Sequence, residues 1–297
     1  MNISIDAAVW QPLTFKSADG LDLFARDYRP AGAGAALPLV CLPGLTRNSA
    51  DFDALAARLS SRAARPRRVL ALDFRGRGLS SHDPDWTHYA PPVEMEDVCA
   101  LLDEAGLQRC HILGTSRGGI VGMMLAALDP SRIASLVLND LGPVLELDGL
   151  KRICAYAVDP VAPPSWQAAE DVLRQRNGHA FSALDAIGWA RFARQIFLDA
   201  DGKPALAYDP ALGKTLAALD LDNPLGTLWP LFDALNGLPV MGIRGENSDL
   251  LAPETFAEMQ RRRPDMVALG IADQGHAPLL WDAPTQDAIA AFLERSE

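Results

Sequence analysis

The sequence predicts an α/β fold, with a mostly parallel twisted sheet flanked by helices and interrupted by an inserted helical cap. Short apolar runs alternate along the chain with longer segments of helical periodicity, which is typical of a parallel sheet covered on both faces. Residues 107–128 have the pattern of a strand, a sharp turn and a buried helix. Strand-like runs vanish after residue 144 and resume at 238. We therefore expect a core formed by residues 1–143 and 226–297, and a cap formed by residues 144–225.

The core elements follow from apolar patterning between turn residues. Alternation around Asp19-Gly20 predicts a β-hairpin over residues 13–29, followed by a surface loop at 31–36. Further strands are expected at 37–42, 69–74, 107–113, 133–138, 238–244 and 266–271, and helices at 51–59, 93–107, 120–128, 253–262 and 283–295. In the inserted segment, helices are expected around 146–157, 165–176, 180–200 and 210–220.

Composition narrows the class of protein and partner. The chain has 297 residues, of which 49% are hydrophobic, so it can bury a large core. Its net charge of −11 favours solubility and argues against nucleic acid and anionic membranes as partners. The expected partner is a small-molecule substrate. Two basic clusters, at residues 65–68 and 261–263, are interpreted as solvated helix ends. The oligomeric state stays open.

The cysteines and the N-terminus indicate a cytoplasmic protein. Cysteine spacing matches neither a C-x-x-C motif nor a zinc site, so neither a metal nor a disulfide framework is predicted. The four are interpreted as small buried hydrophobes in a reducing compartment: Cys41, Cys99, Cys110 and Cys154. Residues 1–6 lack the basic and apolar regions of a signal peptide.

The pentapeptide Gly114-Thr115-Ser116-Arg117-Gly118 carries the main functional hypothesis. It matches G-x-S-x-G between a predicted strand and a predicted helix, the context of a nucleophile elbow. Both glycines are needed there because a side chain would collide with the facing strand and helix. Backbone N–H groups at the start of the helix, with its positive dipole end, could stabilise an oxyanion beside Ser116.

A serine hydroxyl needs a base to take its proton. Of the five histidines, His276 lies downstream in a short loop after a late strand, whereas His111 begins the elbow strand and is interpreted as structural. The remaining histidines are His82, His88 and His179. Ser116, His276 and Asp249 all follow predicted strand ends, where ligands bind in such sheets.

These motifs together resemble the α/β-hydrolase superfamily. The matching pieces, in the family's order, are Leu42-Pro43-Gly44, Asp73 to Ser80, the elbow, Gly245 to Asp249, and Gly275-His276-Ala277-Pro278. One departure is that many members carry His-Gly where this chain has Pro43-Gly44. The backbone donor after the glycine survives this change, so the oxyanion hole is still expected.

The resemblance implies a role for each matching residue. Ser116 is the nucleophile, His276 the general base and acid, and Asp249 the acid that orients the imidazole. The oxyanion hole falls to the backbone N–H groups of Leu45 and Arg117. Two rival acids remain open, Asp140 at the exit of the preceding strand and, more weakly, Glu246. The Arg117 side chain either pairs with a buried acid or reaches the pocket. Asp73 and Arg75 are expected to brace a loop.

The expected reaction is hydrolysis of carboxylic esters with small-to-medium, largely apolar acyl groups. Such a triad implies no cofactor. The inserted segment is expected to form a lid over Ser116, with apolar faces offered by Trp166, Trp189, Ile196 and Phe197. Two alternatives stay open: hydrolysis of carbon–carbon bonds in vinylogous diketones, and a non-catalytic ligand receptor of the same fold.

Overall fold

The computed structural model describes residues 10–30, 36–223 and 225–297. The predicted surface loop at 31–36, apart from its last residue, and the N-terminal residues without a signal-peptide pattern lie outside the described residues. None of the described helices combines the length and apolarity needed to cross a bilayer.

An eight-stranded sheet forms the core. Its strands are β1 (Gln11–Lys16), β2 (Asp22–Tyr28), β3 (Leu39–Leu42), β4 (Val69–Asp73), β5 (Cys110–Thr115), β6 (Ile133–Asn139), β9 (Val240–Gly245) and β10 (Val267–Ile271). Their order is β1-β2-β4-β3-β5-β6-β9-β10. The predicted hairpin is confirmed as β1 and β2, which pair antiparallel, and β2 also pairs antiparallel with β4. All other pairs in this sheet are parallel. The carboxyl ends of the parallel strands therefore share one edge, where a site can assemble.

Helices cover both faces of the sheet because its parallel strands are apolar on both sides. The helices are α1 (Asp53–Ala57), α2 (Pro91–Glu104), α3 (Arg117–Leu128), α4 (Leu147–Ala157), α5 (Trp166–Asn177), α6 (Ala186–Ile196), α7 (Leu212–Ala217), α8 (Trp229–Asp233), α9 (Pro253–Arg262) and α10 (Ala283–Arg295). Successive side chains of a strand point to opposite faces of the sheet, so they belong to two different hydrophobic cores. In β3, Val40 packs with α2 and α3, whereas Leu39 packs with α1 and α10.

The segment between β6 and β9 is helical, as expected, with one correction. A single helix was predicted around 180–200, but α6 ends at Ile196 and an antiparallel hairpin follows, β7 (Phe197–Ala200) and β8 (Lys203–Leu206). Asp201 and Gly202 make its turn with φ values of +51° and +82°. A two-residue Asp-Gly turn with positive φ is a strong hairpin signal, and it overrides the helical pattern around it.

The interpretation of both basic clusters as solvated helix ends is wrong for one arginine in each. Arg67 is buried and donates to the carbonyl oxygen of Leu37 at 2.9 Å. Arg263 is buried and donates to the carbonyl oxygens of Leu235 and Leu238, each at 2.7 Å. A guanidinium offers five donors, so it can satisfy loop carbonyls that would otherwise be buried without partners.

All four cysteines are free thiols. Cys41 and Cys110 are buried, and burial raises the thiol pKa of Cys110 to about 12. Cys99 and Cys154 are only half-buried, so the expectation that all four are buried holds for two of them.

Candidate active site

Ser116 stands at the sharp turn between β5 and α3. Its backbone has φ +51°, a left-handed conformation that non-glycine residues rarely adopt. The flanking glycines are required by close contacts. A Cβ on Gly114 would lie 2.3 Å from the carbonyl oxygen of Gly118, and one on Gly118 would lie 2.1 Å from that of Leu42. This matches the predicted elbow, which leaves the serine side chain in the pocket wall.

His276 links the serine to a buried carboxylate. Its Nε2 lies 3.0 Å from Ser116 Oγ, and its Nδ1 lies 2.8 Å from Asp140 Oδ2. Asp140 is fully buried, and it also accepts hydrogen bonds from Gly245 N at 2.8 Å and Ser248 Oγ at 2.6 Å. The carboxylate is thus held in one orientation by three donors, and it can fix the imidazole with Nε2 facing the serine.

The prediction that Asp249 orients His276 is wrong. The carboxylate of Asp249 pairs with Arg152 of α4, with 2.8 Å between Oδ1 and the terminal guanidinium nitrogen. Asp140 follows β6, the strand between β5 and β9, and it is this carboxylate that contacts the imidazole. Gly245, the last residue of β9, and Ser248, in the loop that follows, supply the donors that hold Asp140. The weaker rival, Glu246, is exposed.

Leu45 and Arg117 occupy positions that suit an oxyanion hole. Leu45 lines the same pocket as Ser116, and Arg117 is the first residue of α3. A Cβ built on the neighbouring Gly44 would lie 3.9 Å from Ser116 Cβ, so this loop passes close to the serine. Within the described part of the chain, neither amide donates to a protein acceptor. The oxyanion hole itself stays a prediction.

A buried ion cluster lies behind these two amides. Arg77 and Glu94 are fully buried and form an ion pair at 2.7 Å. Arg77 Nε also donates to the carbonyl oxygen of Leu45 at 2.8 Å, and Arg117 Nε lies 3.5 Å from the second carboxylate oxygen of Glu94. Burial by itself would raise the pKa of Glu94, but the positive charges of Arg117 and Arg77 outweigh it and lower that pKa.

This cluster settles the open question about the Arg117 side chain, which pairs with a buried acid. Sequence reasoning missed Glu94 and Arg77. Glu94 stands in the first turn of α2, where the helix dipole favours any acid, so its position alone does not mark it as unusual. Nothing in the local pattern distinguishes it from Glu96, which is exposed.

The remaining conspicuous groups have structural partners. His111 is buried with Nδ1 2.8 Å from Ser135 Oγ, and burial lowers its pKa to about 3. Asp73 accepts from the amides of Ser49 and Leu79 and Arg75 binds Asp97 and Asp83, so these two residues do brace loops as expected. His82 and His179 are exposed and His88 half-buried.

The pocket beside Ser116 has a volume of about 290 Å³ and draws its wall from both the core and the inserted segment. Much of the wall is apolar: Phe52, Ile153, Leu173, Phe192, Ile196 and Leu279. Of the four residues expected to offer apolar faces, Ile196 and Phe197 line it. Trp189 instead packs within the inserted segment against Phe192, and Arg194 covers Trp166.

A model of the "Alpha/beta hydrolase family" matches residues 39–291. The chain belongs to this family. The family assignment and the α/β-hydrolase fold predicted from the sequence are thereby confirmed.

Relatives of this α/β hydrolase include proteins named as hydrolases. The chain is 35% identical over 261 residues to a 3-hydroxybutyrate-oligomer hydrolase of Cupriavidus necator, covering 85% of this chain and 86% of that protein. It is 28% identical to the sn-1-specific diacylglycerol lipase ABHD11 of Mus musculus, covering 95% and 92%. The crystal structure of an alpha/beta hydrolase from Novosphingobium aromaticivorans matches with a TM-score of 0.86 and 37% identity, covering 97% of this chain and 99% of that one.

Proposed function

We propose that this α/β hydrolase cleaves carboxylic esters through an acyl-enzyme intermediate. The observation that carries the proposal is the unbroken series of contacts from Ser116 through His276 to the buried Asp140. Such a series makes a serine hydroxyl nucleophilic, because the imidazole takes the proton as the hydroxyl attacks and the carboxylate stabilises the imidazolium.

The steps follow from this arrangement. Ser116 Oγ attacks the ester carbonyl while its proton moves to His276 Nε2. The amides of Leu45 and Arg117 hold the oxyanion of the tetrahedral intermediate. His276 then gives the proton to the leaving alkoxide, and the acyl group stays on the serine. Finally His276 activates a water that attacks the acyl carbon, which releases the acid and restores the serine. This sequence uses only groups of the chain and water, so the proposal includes no cofactor.

The inserted segment, residues 144–225, acts as a lid in this proposal. It supplies Ile153, Leu173 and Ile196 to the wall of the pocket that holds Ser116. Covering a reacting ester with apolar side chains excludes bulk water and strengthens the electrostatic interactions within. The cytoplasmic location stays a prediction.

For the substrate we propose an ester with a small-to-medium, largely apolar acyl part. The pocket volume of about 290 Å³ and its apolar wall support this size and character. The name of the Cupriavidus relative, a 3-hydroxybutyrate-oligomer hydrolase, points to esters of a short hydroxy acid. Short oligoesters of this kind therefore fall within the substrate class that we propose.

The test is a panel of p-nitrophenyl esters of rising acyl length, run beside a vinylogous diketone. We expect turnover of short and medium esters, with a burst of nitrophenolate equal to the enzyme concentration if deacylation is slow. Efficient cleavage of the diketone with negligible ester hydrolysis would replace the proposal by carbon–carbon bond hydrolysis. Turnover of neither substrate class would favour a ligand receptor.

A further inference from the structure

Three arginines line the otherwise largely apolar pocket: Arg47, Arg152 and Arg176. Two of them are neutralised within the fold. Arg47 Nε donates to Asp51 at 2.8 Å, and Arg152 donates to Asp249 at 2.8 Å. Two guanidinium nitrogens of each arginine engage its carboxylate, so the positive charge of each is compensated by a neighbouring acid.

Arg176 is different. It lies in the last turn of α5, and no carboxylate of the described residues comes within ion-pair distance of it. Arg176 is an exposed residue of α5 that also contributes to the lining of the pocket. Burial raises the pKa of Tyr208, in the same lining, to about 12, and the positive charge of Arg176 lowers it. Asp51 is the acid in the described pocket lining, and it is already engaged by Arg47. The lid side of the pocket therefore carries one uncompensated positive charge.

The helix dipole alone does not account for this arginine. A cation in the last turn of a helix is favoured, but Arg174 already stands in the same turn. Arg174 pairs with Asp171 at 3.4 Å and does not line the pocket, whereas Arg176 does. In a chain of net charge −11, an anion approaching the pocket meets repulsion that a local unpaired cation can offset.

We propose that Arg176 binds a carboxylate at the end of the substrate remote from the scissile ester. The substrate class is thereby narrowed to esters that bear a free carboxylate, such as half-esters of dicarboxylic acids or short oligoesters of hydroxy acids. This inference rests on the proposed ester hydrolysis. A guanidinium suits the role because its planar donors match both oxygens of a carboxylate.

The experiment compares each charged substrate with a neutral twin of the same length. The substrates are mono-p-nitrophenyl esters of adipic acid and longer homologues, and the same molecules with the remote carboxyl capped as a methyl ester. Wild-type protein, Arg176→Gln and the matched control Arg174→Gln are assayed for kcat and KM at low salt, with enzyme-free rates subtracted.

Wild-type protein should prefer the charged twin at one chain length, where the carboxylate reaches the guanidinium. In Arg176→Gln, kcat/KM for that charged twin should fall about tenfold or more, mainly through KM, because a charge-assisted hydrogen bond is lost from ground state and transition state alike. The neutral twin should change by less than about twofold, and Arg174→Gln should leave both unchanged. Added salt should weaken the preference for the charged twin.

Equal losses on both twins, or no loss on either, would overturn the carboxylate site while leaving ester hydrolysis intact. If the wild-type protein hydrolyses neither twin, the proposed function fails instead. In that case, calorimetric titration with monomethyl adipate tests whether Arg176 binds a carboxylate even though no ester is hydrolysed. Binding that Arg176→Gln abolishes and Arg174→Gln retains would support the site, and equal binding by all three proteins would refute it.

Discussion

Replacing Asp140 by asparagine should remove catalysis while leaving the fold intact, because it changes which nitrogen of His276 carries the proton. Gly245 N–H donates to Oδ1 of Asp140. An asparagine must keep its carbonyl oxygen at the Oδ1 position, because its amide group would otherwise place an N–H donor against the N–H of Gly245. Its amide nitrogen then lies where Oδ2 now accepts from His276 Nδ1. That nitrogen is a donor, so the imidazole must turn Nδ1 into an acceptor and carry its proton on Nε2.

A proton on Nε2 faces Ser116 Oγ, 3.0 Å away, and leaves the imidazole unable to accept the serine's proton. The same change of tautomer in serine proteases lowers kcat by about 10⁴, and we expect a loss of that order here. This corresponds to about 5 kcal/mol of transition-state stabilisation. Ser248 Oγ already accepts from the amides of Leu250 and Leu251, so it cannot also accept from the new amide without giving one of them up. The free energy of unfolding should therefore fall by about 1–3 kcal/mol, which still leaves the protein folded.

The matched control is Asp249→Asn. It removes a partly exposed ion pair with Arg152 and leaves the imidazole contact untouched, so kcat should fall by less than about tenfold. Both variants and the wild-type protein are assayed with one p-nitrophenyl ester, and their folding is checked by circular dichroism and thermal unfolding. A larger loss of kcat in Asp249→Asn than in Asp140→Asn would refute the assignment of the acid.

Three further outcomes are expected. Ser116→Ala should fold normally and lose nearly all turnover, since triad members act as a unit; labelling of another residue by a serine-directed phosphonate in the wild-type protein would contradict this. Glu94→Gln leaves Arg77 and Arg117 without a neutralising charge, so the protein should lose about 3–5 kcal/mol of stability. Its kcat should also fall by a larger factor than its KM rises. A change confined to the melting temperature would show that this cluster does not position the backbone amides of Leu45 and Arg117. Burial lowers the pKa of His111 from its ordinary value of 6.5 to about 3, so between these pH values the unfolded chain binds a proton that the folded protein does not. The free energy of unfolding should therefore drop as pH falls from about 6.5 towards about 3. In urea unfolding at pH 7 and pH 5, His111→Asn should show a smaller drop in the free energy of unfolding than the wild-type protein.

The sheet and the elbow were predictable because their signals are local. Each parallel strand is a short apolar run between turn residues, and α9 and α10 fall on the predicted residues. The elbow at Ser116 has fixed spacing. Gly114 is required by its contact with Gly118, four residues away, and Gly118 by its contact with Leu42 of β3, the neighbouring strand in the sheet.

The identity of the acid was not predictable in the same way. Asp140 and Asp249 both follow strands that end at the same sheet edge, so strand order alone leaves either in reach of His276. What decides between them is side-chain direction and the partners available, Ser248 for one and Arg152 for the other. Those partners come from distant parts of the chain, and no single-sequence pattern encodes them.

Fixing the acid on the connection after β6 has a consequence for protein engineering. Asp140 lies just before the inserted segment, and a Cβ on Gly142 would come within 2.5 Å of Leu251 Cδ1, so this short connection is packed against the core. A chimaera that exchanges the whole segment must place its first junction beyond Gly142. Arg152 lies in the exchanged segment and Asp249 in the core. Moving the segment alone therefore separates this ion pair and leaves each charge unmatched, unless both residues are transferred together.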